Sequence, residues 1–140
     1  MKIFLTLLLL AVLFFACSEK KVPDKEQEKA LFDQVIKIHD KVMGADEELM
    51  KNKLLLDSAV SHNSTADIKD SVYSYLDKLK LADSAMSNWM HKFDAENTGK
   101  SHEQIMTYLA DQKKQIMAID LQIATAVENS DKYLTKIKMK

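Results

Sequence analysis

The chain has 140 residues and almost balanced charge: 20 basic side chains, all lysine, against 21 acidic ones, for a formal net charge of −1. That balance lacks the basic excess of a nucleic-acid surface and offers no electrostatic attraction to anionic lipid. With one proline, two glycines and one cysteine, the chain is poor in helix breakers and cannot form an internal disulfide, so long helices held by packing alone are expected.

Met1 and Lys2 precede an apolar run from Ile3 to Phe15 that closes on Ala16 and Cys17. A charged start, a short apolar segment and a small residue before the cut make a secretory signal. The competing readings are a transmembrane helix and a secreted protein with an incidental cysteine. The run is shorter than the roughly 20 residues that span a bilayer. The one cysteine stands at the cleavage point itself. Leu13-Phe14-Phe15-Ala16-Cys17 resembles a bacterial lipobox, with Phe14 where leucine is usual. The resemblance implies cleavage before Cys17 and attachment of lipid, palmitate included, with two or more acyl chains sufficing for stable anchoring. The expected organisation is a signal peptide over 1–16, a lipidated tether over 17–23 and a helical domain over 24–140. Ser18, in place of Asp, points to the outer membrane by the enterobacterial sorting rule. Ser18-Glu19-Lys20-Lys21 lacks the acidic run that favours the cell surface in Bacteroidota, so the periplasmic face is expected.

After Pro23, Asp24 and Gln27 have the spacing of a capping box. The first helix is then predicted to run to about Val60. Its stripe is Leu31, Val35, Ile38, Val42, Ala45, Leu49, Asn52, Leu56 and Ala59, in alternating steps of four and three. Phe32, Ile36, His39, Met43 and Met50 widen the apolar face as a multi-helix bundle requires. Gly44 lies mid-helix, where glycine costs about 1 kcal/mol against alanine, and marks a possible bend. Residues 61–65 form a turn. The second helix carries Ile68, Val72, Tyr75, Leu79, Ala82, Met86, Trp89 and Phe93 and is predicted to stop near Glu96. Gly99 suits a left-handed exit, and Ser101 with Gln104 makes a second capping box. The third helix has Ile105, Leu109, Gln112, Ile116, Ile119, Ile123, Ala126, Ser130, Tyr133 and Ile137. Three seams joined by short turns predict an all-α, up-down-up antiparallel bundle of long helices.

Histidine and methionine are the residues that could carry chemistry. His39 with Met43, and Met86 with Met90, are i, i+4 pairs that each share a helix face. Antiparallel register places the two pairs in the same half of the rod, with Met106 nearby. Thioethers and imidazole together suit Cu(I), and a His and a Met on facing helices can hold haem iron. Against this stands ordinary packing, in which methionine fills gaps and rests on rings such as Trp89. In that reading His39 and Gln112 form a polar layer that fixes register, and no cofactor is bound. His62, His91 and His102 are expected in solvent. No phosphate-binding glycine loop, nucleophile elbow or His-Glu-x-x-His pattern occurs, so catalysis is not expected.

Glu28-Lys29-Ala30-Leu31-Phe32, Ile38-His39-Asp40-Lys41-Val42-Met43, Leu81-Ala82-Asp83, Trp89-Met90-His91-Lys92-Phe93 and His102-Glu103-Gln104-Ile105-Met106 together resemble a group of uncharacterised small Bacteroidota lipoproteins. Some of these carry a name taken from a viral A-type inclusion protein. The resemblance covers most of the chain after Cys17 and implies the anchor and the helical bundle, but no activity. That group often has proline where Gly44 stands here. The expected function is a non-enzymatic, membrane-anchored binding or adaptor module working through a protein partner or self-association. The alternative is a periplasmic copper or haem carrier using His39, Met43, Met86 and Met90. An exposed patch of Tyr73, Leu76, Tyr108 and Leu134 is the surface sign expected of a partner.

Overall fold

The computed structural model describes residues 22–61 and 65–138. The signal segment 1–16, Cys17, His62 and all of the tether except Val22 and Pro23 lie outside the described residues. The described chain is all-helical: α1 (Asp24–Gly44), α2 (Asp46–Ser61), α3 (Ala66–Lys92) and α4 (His102–Lys138). Among these residues no helix is long and apolar enough to cross a membrane.

The long first helix of the sequence reading is two helices, α1 and α2. Ala45 separates them, keeping helical dihedrals (φ −86°, ψ −7°) while its N–H donates to the carbonyl of Val42 at 3.0 Å. Charge placement favours a break here. Lys41 sits in the last turn of α1, and Asp46, Glu47 and Glu48 crowd the first turn of α2. Each set matches the partial charge of its helix end. A Cβ on Gly44 would meet nothing within 4 Å, so close packing does not require glycine there.

The first capping box is not formed. Pro23 takes the N-cap position without a side-chain bond, and Gln27 Nε2 donates instead to the carbonyl of Val22 at 2.6 Å. The second is complete: the Ser101 N–H donates to Gln104 Oε1 at 2.8 Å, and the Gln104 N–H donates to Ser101 Oγ at 3.3 Å. Helix α3 ends at Lys92, earlier than its pattern suggests, because Phe93 is extended (φ −72°, ψ 118°). The turn that follows is built on Asp94. Its carboxylate accepts from the N–H groups of Glu96 and Asn97, both at 3.1 Å, and from Lys100. Gly99 takes the left-handed conformation expected of it, and so does Asn97 (φ 52°).

Helix α4, 37 residues long and about 55 Å at 1.5 Å per residue, touches every other helix. Between α1/α2 and α4 the partners rise together in number: Glu28 with His102, Gln34 with Lys113, Lys41 with Asp120 and Asn52 with Ser130. Between α3 and α4 they run in opposite order, from Phe93 with Tyr108 to Tyr75 with Tyr133. The core is the heptad stripe: Val35, Val42, Leu49 and Leu56, then Val72, Leu79, Ala82, Met86 and Trp89, then Ile116, Ile123 and Ala126. At the end of α4 the buried position is Leu134, not Tyr133. Tyr133 stacks on Tyr75 at 4.6 Å.

One polar layer crosses this core. Asn52 Nδ2 donates to Ser130 Oγ at 2.9 Å, and the Ser130 hydroxyl donates to the carbonyl of Val127 at 2.8 Å. Asn52 Oδ1 is buried without a partner. The layer therefore uses Asn52 and Ser130, whereas His39 and Gln112 were expected.

Candidate functional site

Helices α1 and α3 share no pair of Cα atoms within 8 Å, and side chains fill the gap between them. His39 lies 6.0 Å from Trp89, Trp89 stacks 4.7 Å from Phe93, and Phe93 lies 6.1 Å from Phe32 and 6.2 Å from Tyr108, centroid to centroid. These rings lie between α1 and α3. Past the bend at Ala45, α2 lies directly against α3. Where the gap closes, a cleft of about 220 Å³ remains, lined by Val42, Met43, Asp46, Leu49, Asp83, Met86, Ser87 and Met90, with Ile123 of α4.

Three of the four candidate ligands therefore meet. Met43 comes from the last turn of α1, and Met86 and Met90 from successive turns of α3. Met86 is 4% exposed, while Met43 and Met90 are each 41% exposed. His39 does not line the cleft. Its Nδ1 is paired with Asp40 at 2.9 Å and its ring faces Trp89. The two carboxylates of the cleft differ. Asp83 is paired with Lys53 at 3.2 Å, whereas Asp46 has no ion pair among the described residues. No group of three His, Cys, Asp or Glu side chains able to hold a metal occurs among the described residues.

The second surface lies between α3 and α4. Leu81 of α3 and Leu121 of α4 are 64% and 68% exposed and share a groove of about 320 Å³ with Lys78, Ala118, Gln122, Thr125, Ala126 and Asn129. Met117 is exposed on the same helix. This groove brings two of the most exposed leucines together, whereas the quartet expected from the sequence does not form one exposed patch. Of that quartet Tyr73 is exposed, but Leu134 is buried, Leu76 packs on the core, and Tyr108 is half-buried. The Tyr108 hydroxyl accepts from the N–H of Asp94 at 2.7 Å. Leu81 and Leu121 fall outside the heptad stripes. Two large apolar side chains off the stripe were the signal available.

His102 is not a free surface histidine. Its Nδ1 lies 2.9 Å from Glu28 and its Nε2 3.7 Å from Asp24, tying the start of α4 to the start of α1. Lys25, and then His102, hold the Glu28 carboxyl below its ordinary value by hydrogen bonding. Lys100 does the same for Asp94 with help from the Asn97 N–H, and Lys132 for Glu128. His91 is exposed, as expected.

Compared with family models, curated proteins and solved structures, the chain matches none.

Proposed function

We propose that this protein is a lipid-anchored helical binding module of the bacterial envelope, held by Cys17 at the periplasmic face of the outer membrane and acting by contact, not catalysis. The signal-and-cysteine grammar of residues 1–17 supports the anchor. The rising and falling partner numbers support an up-down-up arrangement of three long helical stretches, the first of them bent at Ala45. The observation that carries the reading is the groove between α3 and α4. Leu81 and Leu121 stand about two-thirds exposed there beside small residues, a shape that accepts the apolar edge of an added helix. Water around two such leucines is costly, roughly 1.5–3 kcal/mol for each side chain that could be buried instead.

The test is site-specific photo-crosslinking in living cells of the natural host. A photoreactive residue at position 121 should give discrete adducts that Leu81→Lys abolishes, while the same residue at exposed Lys37 on α1 should give none. Absence of any adduct at position 121 refutes the binding-module reading. Labelled palmitate incorporated into the wild type and lost in Cys17→Ala tests the anchor.

A haem-carrier reading gains little from the cleft. At about 220 Å³ it is smaller than the ~300–1,000 Å³ pockets that take drug-sized ligands. His39, the axial ligand it needs, faces Trp89.

A further inference from the structure

We infer that the cleft between α1, α2 and α3 is a binding site for a monovalent soft metal ion, Cu(I) or its redox-inert analogue Ag(I), held by the thioethers of Met43, Met86 and Met90. The inference does not depend on the groove between α3 and α4.

The argument begins with the donors. Three thioether side chains line one cleft, from two helices whose backbones stand apart. Met86 and Met90 are one turn apart on one face, a spacing of about 5–6 Å between Cβ atoms. Met43 comes from the opposite wall. Each side chain has three rotatable bonds and can swing its sulfur toward a common point. Thioether sulfur is a soft, neutral donor, and among biological ions it selects Cu(I).

Burial differs from that of a packing role. Met86 is buried among core residues and also lines the cleft. Met43 and Met90 are each 41% exposed, so an arriving ion can reach these two side chains from solvent.

Charge fits as well. Lys53 neutralises Asp83 at 3.2 Å, which leaves Asp46 as the uncompensated charge in the cleft. Three neutral sulfurs beside one unpaired carboxylate complement a single positive charge. A divalent hard cation would need more oxygen donors than one free carboxylate and Ser87 supply.

The bend explains why the cleft exists. Had α1 continued straight through Gly44 and Ala45, the α1–α3 gap would have stayed open along its length. Instead α2 closes on α3 just past Met43, and Asp46, the first residue of α2, joins the methionines.

The test is titration of the full-length Cys17→Ser chain in detergent micelles with Ag(I), and with Cu(I) under anaerobic conditions against a chromophoric chelator. Cys17→Ser removes the one thiol that would compete for either ion. One equivalent should bind, and Met43→Leu with Met90→Leu should weaken it by at least about tenfold, or ~1.4 kcal/mol. Met117→Leu, on an exposed face elsewhere, and His39→Gln should leave the affinity unchanged. Both leucine exchanges are at half-exposed positions, and circular dichroism should show their helicity intact. X-ray absorption on the loaded wild type should show a shell dominated by sulfur. Binding that survives in the double leucine variant, no saturable binding, or a nitrogen-dominated shell would each overturn the inference.

Discussion

Ser130→Ala is the sharpest probe of the packing described above. Ser130 and Asn52 are both fully buried, and the serine hydroxyl is the near partner of Asn52 Nδ2. Removing it leaves Nδ2 with the Val127 carbonyl at a long 3.3 Å, while Asn52 Oδ1 remains unpartnered. The lost bond contributes about 1 kcal/mol net, and a donor left half-satisfied in the core costs roughly another 1–3 kcal/mol. A total of about 2 kcal/mol, the low end of that sum because Nδ2 keeps the Val127 carbonyl, is expected. With an unfolding entropy of about 2.1 cal/mol/K per residue over about 115 residues, that is a fall of about 8 °C in Tm. Adding Asn52→Leu, which keeps the branching of asparagine and removes both its polar atoms, should bring stability back to within about 1 kcal/mol of wild type. Urea and thermal melts followed by circular dichroism measure all three chains. The account of an incompletely satisfied polar layer fails if Ser130→Ala lies within about 0.5 kcal/mol of wild type, or if the double variant is no more stable than the single.

Two further predictions rest on single residues. Gly44→Ala should raise stability by about 0.5–1 kcal/mol, since a Cβ there meets nothing and alanine narrows the unfolded ensemble; a lower Tm would show that the glycine is needed in the bend. Glu28 has a folded pKa below its ordinary value of 4.5, so its pairing with Lys25 and His102 stabilises the fold fully above that value and is lost as pH falls through and below it. The Tm of Glu28→Gln should therefore fall less steeply with acid than that of the wild type, and parallel curves would refute the linkage.

The heptad stripes place nearly every buried residue because burial follows period. Val35, Val42, Leu49 and Leu56 recur at steps of seven, as do Leu109, Ile116 and Ile123 of α4. The stripe slips at Leu134 because a straight helix drifts by about 20° per heptad, and α4 is long enough for the drift to add up. The break after Gly44 was legible as a possible bend, and the switch from Lys41 to Asp46-Glu47-Glu48 would have fixed its place. The meeting of Met43 with Met86 and Met90 followed from antiparallel register. Register also placed His39 against this stretch of α3, but that it meets the Trp89 ring and does not line the cleft depends on side-chain packing that the spacing does not encode. The pairing of His102 with Glu28 joins residues 74 apart and depends on how the helix ends align, which no local pattern encodes.

The position of α4 in the chain matters for the time before folding is complete. α1 packs chiefly against α4, and α2 against both α3 and α4, across separations such as the 79 residues between Lys41 and Asp120. The α3–α4 hairpin closes through a short turn stitched by Asp94, so its loop-closure cost is small. Pulsed hydrogen exchange during refolding should accordingly protect α3 and α4 before α1, and simultaneous protection would contradict that order. Until α4 has docked, Val35 and Val42 of α1 lack their main packing partner, so a refolding chain passes through an interval in which that apolar face is open to solvent.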